Sequence, residues 1–134
     1  MIERLFLAFT LIATIGLAGL LLQTAIRHWR ERRFGALTLS PTATSAPRII
    51  AFSGPGCATC RTQRRVLDAV LAEWTGDIDV SYVDAVEAAD LARRFGVVVV
   101  PTTVVAARNG RVIGINGGLT DHDRLLRQLC DAAG

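Results

Sequence analysis

At 134 residues the chain holds one domain with some length to spare. All fifteen basic residues are arginine and the net charge is +3, with five arginines against two acids before residue 48 and ten against ten from Arg48 onward. The neutral remainder carries no basic stripe, which excludes nucleic acid as an expected partner.

The N-terminal surplus of charge has a local reason. Leu5 to Leu22 reads "LFLAFTLIATIGLAGLLL", eighteen residues without a charge. As a helix this run is about 27 Å long, and with the residues up to Ile26 it matches the hydrocarbon core of a bilayer. A soluble helix of this length would show a polar face, and only two threonines and two glycines interrupt this one. A cleaved signal peptide would have a shorter apolar core and small residues after it. Here "RHWRERR" follows instead, so the expectation is an uncleaved single-pass anchor through residues 5–26. Arg27, Arg30, Arg32 and Arg33 follow the span, while Arg4 and the free amine precede it. Basic residues are retained on the cytoplasmic side, which places the C-terminal domain in the cytoplasm. Residues 1–34 are thus read as the anchor and its basic flank.

Residues 35–47, "GALTLSPTATSAP", carry no charge and are rich in Ser, Thr, Pro and small residues, as in an extended linker. The domain then begins at residue 48 and runs to residue 134. "RIIAF" (48–52) is a short apolar run, as expected of a strand covered on both faces. Val66, Leu67, Val70, Leu71 and Trp74 recur at helical spacing, and Gly76 ends the pattern. "IDVSYVDA" (78–85) reads as the next strand. Residues 87–95 follow as a short helix with Ala88, Leu91 and Phe95 on one side. "VVVVPTTVVAA" and "VIGI" flank Asn109-Gly110, a strong signal for a tight hairpin turn. A last helix is expected after Thr120 as its cap, with Leu125, Leu126 and Leu129 on its core side. This order predicts an α/β domain: a four-stranded mixed sheet, part parallel and part antiparallel, flanked by helices.

"SGPGCATC" (53–60) lies between the first strand and the first helix of this domain. Cys57 at a helix start lies near unpaired backbone N–H groups, whose partial positive charge favours the thiolate and lowers the thiol pKa. Arg61 acts in the same sense. Cys60, one turn further in, is the candidate for the covered partner that closes a disulfide. A zinc site needs about four ligands. One C-x-x-C offers two, and Cys130, His28 and His122 are scattered along the chain. Haem attachment requires His directly after the second cysteine, where Arg61 stands. Two ordinary buried thiols are the remaining alternative to a dithiol centre. Pro101, after four valines, fits a strand entrance only if its peptide bond is cis or the strand begins there.

With the C-x-x-C, this proline, the Asn-Gly hairpin and the element order together, the segment 48–132 resembles the thioredoxin family. The resemblance implies Cys57 as nucleophile, Cys60 as resolving thiol, and Pro101 as the cis-proline that lies against them. Val100 and Gly117 are implied as flanks of the substrate groove. It implies a thiol–disulfide oxidoreductase acting on protein disulfides, without bound cofactor or metal, and recharged by a separate reductase. The departures are specific. Gly56-Cys57-Ala58-Thr59-Cys60 replaces the usual Trp-Cys-Gly-Pro-Cys. The buried aspartate of many thioredoxins falls at Ala51, and its lysine companion at Tyr82. The family's first strand and helix are missing. Two other readings follow from the same residues: an exported domain serving extracytoplasmic disulfides or cytochrome c maturation, and a non-catalytic adaptor at the membrane. Cys130 is expected to be a packed small hydrophobe and His122 a solvated first-turn residue.

Overall fold

A computed structural model of the protein describes residue 12 and residues 14–25 and 46–134. The chain divides into two units, Met1–Gly35 and Ala36–Gly134. In the first, residues 14–25 form a helix, α1, whose side chains are exposed. Among the described residues no helix is long and apolar enough to cross a membrane. Residues 5–11, 13 and 26 of the expected span lie outside the described residues, as does the expected linker up to residue 45.

The second unit runs β1 (Arg48–Ser53), α2 (Ala58–Glu73), β2 (Asp79–Asp84), α3 (Ala89–Arg94), β3 (Thr102–Ala106), β4 (Val112–Gly117) and α4 (His122–Ala133). The sheet order is β2-β1-β3-β4. β1 pairs parallel with β2 and antiparallel with β3, and β3 pairs antiparallel with β4. The parallel pair needs a crossover, which α2 supplies. This is the thioredoxin-like α/β architecture expected from the sequence. β1 begins the sheet, and no strand precedes it among the described residues.

Period-two alternation divides β1 between two cores. Ile49 and Ala51 pack with Leu67 and Val70 of α2, Val105 of β3, and Leu125, Leu129 and Ala132 of α4. Phe52 points the other way, its ring centroid 6.2 Å from that of Phe95 at the end of α3. β1 is therefore covered on both faces, and every residue of β3 is buried. A fully buried leucine such as Leu67 or Leu125 contributes about 1.5–3 kcal/mol. The Arg48 guanidinium meets the Asp79 carboxylate at 2.8 Å across the parallel pair, at its register partner.

Several local expectations change. The linker is not empty at its end: Pro47 is buried, and its carbonyl accepts the Asp79 N–H at 2.9 Å. The hairpin is wider than a two-residue turn. Ala107 O accepts the Gly110 N–H, the Asn109 side chain accepts the Arg111 N–H, and a bulge separates Val105 from Ala106. A two-residue type I′ turn would need positive φ at Asn109, and no described non-glycine residue has it. The cap of α4 is Asp121, not Thr120: its carboxylate accepts the Arg124 N–H at 2.9 Å. Cys130 is exposed, not packed. The inward face of α4 is Leu125, Leu129 and Ala132. Cys130 follows Leu129 by one residue, a rotation of about 100° that takes it off this face.

Candidate active site

β1 ends at Ser53, and a four-residue turn delivers Cys57 to the first position outside α2. Cys57 is the N-cap, with extended backbone, and its Sγ accepts the Cys60 N–H at 3.1 Å. The first turn of α2 holds no acid. The unshared N–H groups of a helix start thus face the sulfur with nothing to offset their positive end, which favours the thiolate once the pair is reduced. Gly56 directly before it has φ +71°. That region strains any residue with a side chain, so the aromatic residue of the family pattern does not suit this backbone.

Cys57 and Cys60 form a disulfide, with their α-carbons 5.3 Å apart. Both cysteines are half-buried. The sequence expectation that Cys60 is covered more deeply than Cys57 does not separate them in the oxidised form, where the bond ties the two sulfurs together. Helical geometry places the two residues one turn apart, which is the separation a disulfide can close.

The Val100–Pro101 peptide bond is cis. β3 begins one residue later at Thr102, so both conditions that make proline acceptable here are met. Pro101 is buried and lines the same recess as the two cysteines. The loop before it is pinned by Thr102 Oγ1, which donates to Val99 O at 2.6 Å. Gly117 is the register partner of Thr102, and a β-carbon there would stand 3.3 Å from Val99 Cγ1. The next residue, Gly118, has φ +82° and donates its N–H to Pro101 O at 2.7 Å. Val100, Pro101 and Gly117 are therefore held close to one another, and of the three Pro101 lines the recess with the disulfide. In the segments that carry them, Val98, Val99 and Leu119 are exposed, at 95, 48 and 53 %.

Beside the disulfide lies a recess of about 300 Å³ whose wall runs from Pro101 to Tyr82 of β2. Ala51 and Tyr82, register partners across β1 and β2, contribute to its wall. The methyl group of Ala51 leaves open the room that the family's aspartate would take. The Arg64 guanidinium carbon lies 4.2 Å from the Tyr82 ring centroid, a cation–π stack. Burial raises the Tyr82 phenol above its usual range, Asp68 adds to this, and Arg64 partly offsets it. The phenol is therefore protonated at neutral pH and is no base for Cys60.

Two features escaped the sequence. Gln63 is 2 % exposed, and its amide binds the backbone of Thr120 twice. Thr120 N–H donates to Gln63 Oε1 at 2.6 Å, and Gln63 Nε2 donates to Thr120 O at 3.3 Å. This clasp ties the active-site helix to the segment between Gly117 and α4. The signal was available: Gln63 lies four residues before Leu67 and seven before Val70, a polar residue on the apolar stripe. The second is His122, which is not simply solvated. Its Nε2 lies 2.9 Å from Glu73 Oε2 and its Nδ1 3.2 Å from Asp123 Oδ1, joining the end of α2 to the start of α4. Among the described residues no three His, Cys, Asp or Glu side chains come close enough together to hold a metal ion.

Comparisons with known proteins agree with this geometry. The thioredoxin family model matches residues 36–131. A thioredoxin of Methanocaldococcus jannaschii is 31 % identical over 61 residues, which cover 46 % of this chain and 72 % of that one. Among solved structures, a variant thioredoxin of Halobacterium salinarum is 30 % identical with a TM-score of 0.57, covering 66 % of this chain and 75 % of that one. The oxidised mitochondrial thioredoxin 3 of Saccharomyces cerevisiae is 20 % identical with a TM-score of 0.56, covering 75 and 87 %, and shares the fold. With its cysteine pair on a helix start and a matching domain over most of its length, the chain belongs to the thioredoxin family and is a thiol–disulfide oxidoreductase.

Proposed function

We propose that this protein is a membrane-tethered reductase of protein disulfides, held by residues 5–26 with its thioredoxin-like domain on the cytoplasmic side. The observation that carries the reductase reading is the Cys57–Cys60 disulfide seated beside the cis Val100–Pro101 bond. The tether and its orientation are supported by the uncharged run from Leu5 to Leu22 and the four arginines that follow it.

In the reduced protein the Cys57 thiolate attacks one sulfur of a substrate disulfide. A mixed disulfide forms and the first substrate thiolate leaves. Cys60 then gives up its proton and attacks Cys57 Sγ, releasing the second substrate thiol and restoring the internal disulfide. The exposed apolar side chains of Val98, Val99 and Leu119 suit an extended peptide, with the backbone of Val100 and the exposed Gly117 next to them. No bound cofactor or metal enters these steps. A separate electron donor restores the dithiol.

Reduction of insulin disulfides by the full chain tests the activity: turnover with a chemical reductant is expected, and its absence in both Cys57→Ser and wild type alike refutes the reading. A C-terminal alkaline phosphatase fusion tests the orientation. It is expected to be inactive where a C-terminal fluorescent fusion matures, and strong phosphatase activity would place the domain outside.

A further inference from the structure

We propose that the recess between the disulfide and β2 is the docking site of a small, carboxylate-bearing thiol, and that this thiol is the electron donor. The inference rests on the oxidoreductase reading and names the donor class that reading leaves open.

Two surfaces differ in chemistry here. Val98, Val99 and Leu119 are exposed and apolar, fit for a polypeptide. Between Pro101 and Tyr82 of β2 lies a concave recess of about 300 Å³, at the lower end of the range for small-molecule sites. Both cysteines line the recess, so a ligand within it reaches the reacting sulfurs. Arg61 and Arg64 line it as well, and no acidic residue does. Neither arginine forms an ion pair among the described residues. Asp68, one turn along α2 from Arg64, acts on the Tyr82 phenol but is not part of the wall.

Arg64 is also pre-positioned. Its guanidinium carbon lies over the Tyr82 ring at the recess wall, and its N–H donors form no ion pair among the described residues, so they are available to a carboxylate, the group whose geometry they match. Ala51, opposite Tyr82, keeps the space beside Cys60 open. A carboxylate from this chain at position 51 would close the recess and repel an anion. Small size, positive charge and both cysteines therefore coincide in one recess.

The chemistry balances with two donor molecules. The first thiolate attacks Cys57 Sγ, a mixed disulfide forms, and Cys60 leaves as a thiolate that takes a proton from water. A second thiolate attacks the donor sulfur of that mixed disulfide, and the Cys57 thiolate leaves. Two small thiols are oxidised to one small disulfide, and the protein disulfide is reduced to two thiols.

The test uses the full chain in a neutral detergent, oxidised, and follows its reduction by 3-mercaptopropionate and by neutral 2-mercaptoethanol. Each rate is expressed per thiolate and divided by that thiol's rate on a small linear disulfide. The anionic thiol is expected to be favoured about fivefold, less so at high salt, as partly exposed ion pairs predict. Arg64→Gln should lose about threefold of this preference, and Arg61→Gln with Arg64→Gln nearly all of it. Arg65→Gln, which removes the same charge from an exposed neighbouring position outside the recess, should keep it. Equal rates for the two thiols, or equal loss in Arg65→Gln, overturn the proposal. Insulin turnover driven by dithiothreitol, a neutral dithiol, separates the two levels: if it persists while the preference is absent, only the donor site falls.

Discussion

Gln63→Leu isolates the clasp between the active-site helix and the segment leading into α4. Leucine has nearly the same volume as glutamine and suits the apolar stripe of α2, so packing is largely kept and the amide alone is lost. The Thr120 N–H, which donates at 2.6 Å, and the Thr120 carbonyl, accepting at 3.3 Å, are left without these partners in a residue 4 % exposed. An orphaned buried backbone group costs about 1–3 kcal/mol. The shorter bond is the stronger of the two, so the sum is about 2–4 kcal/mol. That is a large part of the stability of a small domain, which is about 5–15 kcal/mol. Urea titration of the full chain in neutral detergent, followed by tryptophan fluorescence, reads this directly, since Trp74 packs on the core that unfolds. With a slope of about 1–1.5 kcal/mol/M, the midpoint should fall by about 1.3–4 M with no change of slope. Insulin turnover should fall as well, because Gly117 and Gly118 lose their tie to the helix that carries the cysteines. A midpoint within about 0.5 M of wild type would refute the claim that the amide bonds, and not mere filling of space, hold α2 to this segment.

The two cysteines should separate by trapping: Cys60→Ser accumulates mixed disulfides through Cys57, whereas Cys57→Ser accumulates almost none on non-reducing gels. Faster labelling of Cys60 than Cys57 by an alkylating agent at neutral pH would reverse the assignment. Ala51→Asp puts a carboxyl group into the recess beside Cys60. It should speed release of the mixed disulfide if proton removal from Cys60 is limiting, and cost about 1–3 kcal/mol in a urea titration, since no lysine is present to pair with it. The Asp121 carboxyl is held below its ordinary value of 3.8, chiefly by the Arg124 N–H. Its folded value being the lower one, its contribution is present above 3.8 and is lost as pH falls through the folded value. Asp121→Asn, which keeps the cap without the charge, should flatten that acid limb of the stability profile, and an unchanged limb would show that the cap carboxylate does not contribute to it.

The order of elements and the place of the cysteines were legible in the sequence because both depend on local rules. Apolar residues at a period of two or of 3.6 mark strands and helices wherever they occur, and a C-x-x-C at a strand-to-helix junction puts a sulfur at a helix start whatever surrounds it. Pro101 announced an irregularity for the same reason, since a proline after four valines conflicts with a continuous strand. Other features depend on which elements meet. Cys130 and Leu129 are neighbours in sequence, and only the docking of α4 against α2 and β3 decides that one is covered and the other exposed. Thr120 has the chemistry of a cap, yet Gln63, 57 residues away, takes its backbone, and Asp121 caps the helix in its place. Ala51 could be recognised as a missing aspartate. That its vacancy opens beside a tyrosine stacked under Arg64 follows from the register of β1 on β2, which no local pattern encodes. Propensity and periodicity act over a few residues, whereas strand register and helix docking are set by burial summed over the whole domain.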